Sequence, residues 1–501
     1  MSEDADSGSE AVLRAWEAAR AAEAGGFVTV ADPARIEREL ARVQRLSDGP
    51  DAEGRSKARP GAERAEAAGA DLSATGARDP LLGLPIAVKD NIHVAGLPST
   101  AATPALADFV PRSDAGAVAL LRARGAVVIG KANMHELALG VTSTHTALGP
   151  VRNPVLPGRV AGGSSGGTAA VVAAGVCACG LGSDTGGSTR IPAALNDIWG
   201  YRPSTGRYPA DGVASIAFSR DTVGPMTADL DLLRLLDAVL AGAAASTAGE
   251  PGSARDRAGS GVGIDGPALN GGVIDPEPRA PLRIGVDAAD LDRCDAETAA
   301  AVGEALRRLR GASGIVFVPV DLSSLDRQVT AFEPLLGAQE LVPSLASYLS
   351  SDERLPSLEA VMDRLVDPHV AHMLEGSLET TAGGVWTEQW HRLGNDCARA
   401  RSAYLSLLRR HGLDAVLRPT VPIQAPLIDS VLELPIPGRN ELFGVLTTFV
   451  RLATVVGSPS LSLPLGRLGG RSGCGLLLDG VPGCDEELLA SGARIAAALT
   501  S

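Results

Sequence analysis

Two runs rich in glycine and serine, each directly before a predicted helix, constrain the fold of this chain most. The first spans residues 162–167 and precedes a segment of small residues at 168–175, while the second spans 182–188 and follows the apolar segment 176–181. Proline in the first turn of segment 189–195 marks a helix start. Alternation of apolar strand, glycine turn and helix is typical of an α/β layer, so we predict a sheet with helices packed against it.

Ser188 closes the second run, at the predicted junction between strand and helix. A serine hydroxyl is a weak nucleophile at neutral pH, so it needs a base that takes its proton and donors that hold the developing oxyanion. Gly186 and Gly187 allow positive φ and let a substrate carbonyl approach the backbone closely. We therefore predict an oxyanion hole formed by the N–H groups of Thr185, Gly186, Gly187 and Ser188.

Lys89 follows the apolar stretch 84–88, which is predicted to be a buried strand. A lysine at such a position is desolvated, which lowers its pKa and allows the neutral amine to act as a base. Phosphate binding is the main competing interpretation of a glycine-rich loop. However, 162–168 has no P-loop lysine and 180–187 lacks the spacing of a dinucleotide site, so nucleotide binding is not predicted.

These residues together resemble the amidase signature family. Ser164 follows Lys89 by 75 residues and Ser188 follows Ser164 by 24, which are the spacings of the catalytic triad in that family. Segment 84–91 resembles the lysine block, and 200–204 resembles the segment that closes the signature. The resemblance implies one α/β domain with a mixed central β-sheet sandwiched between α-helices.

The resemblance also implies a mechanism. Ser188 would attack the amide carbon and become acylated, Ser164 would follow a cis peptide bond and relay the proton, and Lys89 would act as the base. No histidine, metal or organic cofactor is required. The expected partner is a small-molecule amide, and a homodimer is compatible with the family.

Substrate choice is predicted from weaker similarities. Segments 90–92, 98–105, 205–208, 221–226 and 477–480 look most like the branch that hydrolyses indoleacetamide and mandelamide. This similarity implies a small aryl-substituted primary amide giving a carboxylic acid and ammonia. The residues predicted to bind this substrate are Ser165, Ser143 and His145. The chain departs from the branch at Thr144 and His145 and at Asn196 and Asp197, and we expect both pairs near the pocket.

Alternative functions remain open within the same family. One is the glutaminase subunit of a tRNA-dependent amidotransferase, although 420–480 lacks the expected glutamine-site and arginine-rich signature. Another is a ureide or allophanate-type hydrolase, and a third is a binding protein without activity, which the intact triad argues against. Dependence on a partner protein separates the amidotransferase from the others, and a substrate panel separates aryl amides from ureides.

Charge and hydropathy limit the partners. The net charge of −14, from 45 basic and 59 acidic residues, argues against nucleic acid and anionic membrane surfaces. The acidic N-terminus has no apolar stretch behind it, and the apolar segment 169–181 is too short to span a bilayer. We therefore expect a cytoplasmic enzyme.

Composition along the chain predicts four regions. Residues 1–79 form a helical and flexible segment with helices at 11–22 and 33–43, 80–243 form the core that carries the lysine and both serines, 244–281 form a low-complexity surface insertion, and 282–501 complete the same domain. His369 and His372 are expected on an exposed helical face with no third metal ligand, so no metal site is predicted. Trp199 is expected in the core.

Overall fold

The computed structural model describes residues 3–21, 25–48, 79, 81–247, 281–382, 386–467, 470 and 472–501. Its strands are β1 (Phe27–Val30), β2 (Pro85–Lys89), β3 (Val127–Ala132), β4 (Cys179–Asp184), β5 (Trp199–Arg202), β6 (Thr222–Thr227), β7 (Leu282–Val286), β8 (Ile315–Pro319), β9 (Ala415–Pro419), β10 (Ser460–Pro464) and β11 (Gly475–Asp479). Its α-helices are α1 (Glu3–Ala21), α2 (Pro33–Asp48), α3 (Gly116–Ala123), α4 (Gly166–Ala173), α5 (Arg190–Leu195), α6 (Leu230–Thr247), α7 (Ala296–Gly311), α8 (Ser323–Leu349), α9 (Leu358–Met362), α10 (Pro368–Ala382), α11 (Trp386–His411), α12 (Ile428–Leu432), α13 (Ile436–Leu446), α14 (Arg451–Val456) and α15 (Asp485–Thr500). The predicted α/β class is confirmed.

All of these strands belong to one mixed sheet. Its order is β1-β3-β2-β4-β6-β5-β10-β11-β9-β7-β8. Strand β2 runs parallel to β3 and β4, and β7 runs parallel to β8 and β9, whereas the other neighbours are antiparallel. Pairing of β5 with β10 joins the strands of 80–243 to those of 282–501, so both parts of the chain share a single sheet.

Helices cover both faces of this sheet. Side chains alternate along a strand, so Ile86 and Val88 point to one face and Ala87 to the other. Ile86 and Val88 pack in a cluster that includes residues of α3, α6, α7 and α15, whereas Ala87 packs in a cluster with residues of α1 and α2. The predicted arrangement of a sheet between helices is therefore confirmed.

The parallel pairing of β2 with β4 positions the chemistry. Val88 lies opposite Leu181, so the carboxyl ends of both strands meet at the same edge of the sheet. Lys89 ends β2 and Asp184 ends β4 at this edge. The strand was predicted at 176–181, and that boundary is wrong, because hydrogen bonds to β6 continue the strand to Asp184. Ser183 is consequently a strand residue rather than part of a turn.

The N-terminal part contains one element that the sequence analysis did not identify. Helices predicted at 11–22 and 33–43 correspond to α1 and α2, but β1 between them adds an antiparallel edge strand to β3. Most of the segment 47–79 and of the predicted insertion 244–281 lies outside the described residues. Among the helices described, none is long and apolar enough to cross a membrane.

Candidate active site

Lys89 is fully buried at the end of β2. Its Nζ lies 2.8 Å from Oγ of Ser164 and 2.8 Å from Oγ of Ser183. Burial lowers the pKa of Lys89 to about 7, although the carboxylates of Asp184 and Asp221 act in the opposite direction. The predicted desolvation of this lysine is confirmed, and a neutral amine is accessible near pH 7.

Ser183 is a functional candidate that the sequence analysis missed. Its Oγ accepts an N–H from Asn91 at 3.1 Å as well as contacting Lys89. Together these contacts hold the amine at a fixed point on the sheet edge. The register between β2 and β4 could have revealed this role, but that register is set by tertiary pairing and was hidden by the assignment of Ser183 to a turn.

Ser164 lies in the loop before α4, directly after a cis peptide bond between Gly163 and Ser164. Its carbonyl oxygen accepts the backbone N–H of His135 at 3.0 Å. The next residue, Ser165, donates its backbone N–H to the carbonyl of Ser188 at 3.1 Å. These bonds attach the Ser164 loop to the loop that carries the predicted nucleophile.

Asp184 orders the loop that carries Ser188. Its carboxylate accepts the backbone N–H groups of Gly187 at 2.9 Å and Thr189 at 3.1 Å. Arg190 donates to it through two nitrogens, at 3.0 and 2.9 Å, and Arg202 lies 3.4 Å away. Burial alone would raise the pKa of Asp184, but the two guanidinium groups hold it well below its usual value. Asp184 and Arg190 therefore hold this loop in place through hydrogen bonds and an ion pair.

Ser188 lies at the surface of a cavity of about 510 Å³ that Thr185 and Gly186 also line. Gly187 has φ of 111°, and a Cβ there would lie 2.5 Å from a methyl carbon of Val450. Only glycine fits this position, because any side chain would be both strained and in collision. The glycine pair therefore shapes the loop that presents Ser188 to the cavity.

The N–H groups predicted to form the oxyanion hole are not equivalent. That of Gly187 already donates to Asp184. The other three belong to Thr185, Gly186 and Ser188, which all line the cavity. If the N–H of Gly187 donated to a substrate oxyanion, it would have to give up its bond to Asp184, which fixes the loop.

The wall that faces Ser188 comes from α8, α10 and α13 and from the segment before β6. Apolar side chains on this wall are Ile216, Leu341, Met373 and Phe443, and Gly376 leaves open space beside them. The sequence analysis identified none of these residues. Their helical spacing indicates an apolar face, but it does not distinguish a cavity wall from a packed core.

A charged group borders the same cavity. Arg220 donates to Glu333 at 2.9 Å and to Glu340 at 2.9 Å, and Arg451 lies 3.9 Å from Glu333. Burial raises the pKa of Glu340, and the Arg220 charge opposes that rise. Because each of these charges has a partner of opposite sign, the group is a compensated polar border rather than an isolated charge.

None of the three residues predicted to bind substrate lies among the cavity-lining residues. Ser165 is buried and donates its hydroxyl to the carbonyl of Ser183 at 3.2 Å. Ser143 is also buried, and its hydroxyl donates to the carbonyl of Ser164 at 3.4 Å. His145 borders a separate chamber of about 20 Å³ beside the cavity. Ser143 and Ser165 therefore hold the backbone around the site.

Neither Asn196 nor Asp197, both expected near the pocket, lines the cavity. Asn196 donates its side-chain N–H to the carbonyl of Ala161 at 2.6 Å, and Asp197 accepts the N–H of Gly466 at 2.7 Å. Both side chains are thus engaged in holding neighbouring loops. The difference from the related sequences at positions 196 and 197 therefore changes contacts between loops and does not change the cavity wall.

The histidines of α10 also differ from expectation. His369 is buried, its Nε2 lies 2.7 Å from Oδ1 of Asn440, and it lines the cavity together with the exposed His372. The prediction of an exposed face is wrong for His369, because α13 covers it.

Trp199 packs in the main core, as predicted. Within the described ranges, no three His, Cys, Asp or Glu side chains are grouped as a metal site.

Comparison with known proteins places this geometry in context. The family described as Amidase matches residues 56–489. An indoleacetamide hydrolase of Agrobacterium vitis is 33% identical over 423 residues, which cover 84% of each chain. A mandelamide hydrolase of Pseudomonas putida is 34% identical over 434 residues, which cover 83% of this chain and 78% of the relative. The crystal structure of a peptide amidase from Stenotrophomonas maltophilia has a TM-score of 0.72 at 26% identity, covering 99% of this chain and 93% of that one.

Proposed function

The chain belongs to the amidase signature family and is an amidohydrolase, and from this premise we propose that it converts a small aryl-substituted primary amide to a carboxylic acid and ammonia. The proposal assigns the chemistry to Ser188, Ser164 and Lys89. One observation carries it: the fully buried Nζ of Lys89, with its pKa near 7, lies 2.8 Å from Oγ of Ser164.

Acylation begins with proton transfer along this pair. Neutral Lys89 accepts the proton of Ser164, Ser164 accepts the proton of Ser188, and Oγ of Ser188 forms a bond to the amide carbon. The carbonyl π electrons move to oxygen, where backbone N–H groups stabilise the negative charge. We assign this role to Thr185, Gly186 and Ser188, since the N–H of Gly187 is bonded to the carboxylate of the preceding strand end.

Collapse of the tetrahedral intermediate breaks the C–N bond. The proton held by Lys89 returns through Ser164 to the departing nitrogen, which leaves as ammonia. A water molecule then attacks the ester carbon and gives one proton to the same relay. The relay passes this proton to Oγ of Ser188 as the ester C–O bond breaks, and the carboxylic acid is released. The relay is regenerated because each proton that it accepts is returned in the same cycle.

The shape of the cavity supports an aryl substituent. Its volume of about 510 Å³ exceeds what a one-carbon acyl group needs, and Ile216, Leu341, Met373 and Phe443 offer an apolar surface for a ring. Burying an aromatic ring against such a wall is favourable because apolar surface leaves water. The two relatives named for indoleacetamide and mandelamide support the same substrate class.

Release of ammonia by the purified chain alone tests the proposal. The substrates are indoleacetamide, mandelamide, benzamide, glutamine and allophanate, and the Ser188→Ala variant is the control. We expect turnover of the aryl amides and a loss of roughly 10⁴-fold or more in kcat in the variant, because the nucleophile is absent.

Three results would overturn parts of the proposal. Release from glutamine alone, and only with an added partner protein, would favour the amidotransferase function, and release from allophanate alone would favour the ureide function. Undiminished aryl amide hydrolysis by the Ser188→Ala variant would exclude Ser188 as the nucleophile.

A further inference from the structure

His135 connects the Ser164 loop to the cavity wall. Its Nδ1 accepts the backbone N–H of Ser143 at 3.0 Å, and its Nε2 lies 2.9 Å from Oδ2 of Asp367. Because Nδ1 is an acceptor, the proton of the neutral ring lies on Nε2 and is donated to Asp367. The ring rests directly on Gly140, where a Cβ would lie 2.2 Å from Nε2. The imidazole is therefore fixed in both orientation and tautomer.

The first end of this connection reaches Ser164. The backbone N–H of His135 donates to the carbonyl of Ser164 at 3.0 Å, and the hydroxyl of Ser143 donates to the same carbonyl at 3.4 Å. The main chain of Ser164 is thus held by the backbone of His135 and by a residue that the His135 ring holds. Its side chain contacts Lys89 at 2.8 Å, so a shift of this main chain would change the contact on which proton transfer depends.

The backbone around His135 adopts conformations that need external support. In the described part of the chain, six non-glycine residues have positive φ, and five surround this loop. These five are Ala101, Ala102, Leu137, Ala138 and Ser143. Such conformations are unfavourable for residues other than glycine and persist only where neighbouring contacts impose them. Ser143 has φ of 54°, and its bond to the His135 ring helps to hold the backbone in this conformation.

The second end of the connection reaches the substrate wall. Asp367 directly precedes α10, accepts the N–H of His369 at 2.9 Å, and pairs with Arg439 at 2.9 Å. His369 and Met373 on this helix line the cavity. Burial alone would raise the pKa of Asp367, but its bonds with His135 hold it at about 2, so it is a carboxylate throughout the working range.

We propose that His135 is a positioning residue for Ser164, and that its bond to Asp367 keeps the proton relay in register with the cavity wall at α10. This inference rests on the proposed role of Ser164 as the relay. His135 does not contact the reacting atoms in this proposal. It acts by presenting Nδ1 to Ser143 and Nε2 to Asp367, which requires both ring nitrogens.

Two substitutions separate the functions of the two nitrogens. His135→Asn places an amide oxygen near the position of Nδ1 and retains an acceptor for Ser143, but it is too short to reach Asp367. His135→Gln retains a donor toward Asp367 but lacks the acceptor for Ser143. We expect His135→Gln to lower kcat roughly 100-fold, as a displacement of about 1 Å does at a reacting group, with KM for a short amide such as acetamide unchanged. His135→Asn is expected to retain more of kcat.

A second pair of variants tests the connection from its other end. Asp367→Ala removes the acceptor that fixes the tautomer, whereas Asp367→Asn retains an oxygen acceptor. We expect Asp367→Ala to lower kcat and Asp367→Asn to restore most of it. The control is His93→Gln, a half-buried histidine whose Nε2 lies 3.0 Å from the hydroxyl of Tyr348, away from the catalytic cavity. It should leave kcat unchanged.

Labelling with a fluorophosphonate, which reacts with activated serines, distinguishes the failure of this inference from failure of the proposed function. If the unmodified chain is not labelled at Ser188, the proposed function fails. If it is labelled, the inference requires slower labelling in folded His135→Gln than in His135→Asn. Equal kcat and labelling rates in these two variants, or equal kcat in both Asp367 variants, would overturn it. Thermal unfolding of every variant confirms that the folded protein is compared.

Discussion

The two sides of the catalytic cavity are built by different means. The reacting side comes from the end of β2, the loop before α4 and the segment 183–190. Its polar groups are buried and bonded to one another, as Asp184 is to Arg190. The facing side comes mainly from α8, α10 and α13, and its central surface consists of apolar side chains and glycines such as Gly376. The first side is fixed by directional bonds, whereas the second is defined by shape.

Because the two sides are built differently, we expect the polar side to control the reaction rate and the apolar side to control substrate preference. Hydrogen bonds and ion pairs in a buried site have strict geometry, so one altered group leaves its partners unsatisfied at a high free-energy cost. Apolar contacts are not directional, and volume changes at the wall are tolerated as long as no collision follows. We therefore expect large effects on rate or stability from changes on the reacting side, and smaller effects on substrate preference from changes on the wall.

Among the changes that compare the two sides, the largest effect is expected at Lys89, the proposed base. Lys89→Met replaces the amine with an apolar chain of similar length and should lower kcat by about 10²–10⁴-fold, because general base catalysis is lost. The fold should persist, since no charge is left unpaired in the interior by this change. Steady-state kinetics and thermal unfolding measure both quantities. Retention of more than a tenth of kcat would show that another group acts as the base.

The buried ion pair below the nucleophile is the next test. Arg190→Met leaves the carboxylate of Asp184 without its main partner and should lower the free energy of unfolding by about 3–5 kcal/mol. Denaturant unfolding measures this change. The same substitution at Arg14, whose pair with Glu10 is exposed, serves as the control and should cost less than about 1 kcal/mol. Equal losses in both variants would contradict the difference between buried and surface charges.

The pH dependence of the reacting side follows from the lowered pKa of Lys89. In the proposed mechanism the neutral amine is the working form, so kcat/KM should rise with pH, reach half its plateau near pH 7, and fall about tenfold per unit well below it. A profile measured between pH 5 and 9 with a neutral amide tests this. A decrease between pH 6 and 8 would mean that the protonated lysine is the active form.

The smallest effect is expected on the facing wall. A Cβ at Gly376 meets no atom within 4 Å, so Gly376→Leu should project into the cavity without displacing its neighbours. We expect kcat/KM for indoleacetamide to fall roughly 10–200-fold relative to acetamide, the range for a changed apolar pocket. Stability should rise by up to about 1 kcal/mol, because leucine favours a helix over glycine.

Gly303 provides the matched control for this last change. It lies in α7, where a Cβ also meets open space, and it is not among the residues that line the cavity. Gly303→Leu should give a similar stability gain and leave the ratio of the two substrates unchanged. A shift of that ratio by Gly303→Leu, or no shift by Gly376→Leu, would contradict the assignment of the wall.

The fold class and the catalytic candidates could be predicted from local patterns in the amino-acid sequence. Lys89, Ser164 and Ser188 were identifiable because strand, glycine turn and helix start are local patterns, and because their spacing resembles that of a known family. The burial of Lys89 was predictable for the same reason, since it ends an apolar strand. The glycines at 186 and 187 were likewise recognisable, because the backbone conformation they allow is a local property.

The other residues that meet at the site could not be predicted, because they come together only through packing of distant segments. Ser183 reaches Lys89 through the register of β2 with β4, and His135 reaches Asp367 across 232 residues of sequence. The wall residues Met373 and Phe443 come together because α10 and α13 pack over the sheet edge. Contacts between distant segments depend on the packing of whole elements. Local propensity therefore predicted the strands, loops and helices of the reacting side, whereas the cavity wall and its connection to the relay required the complete fold.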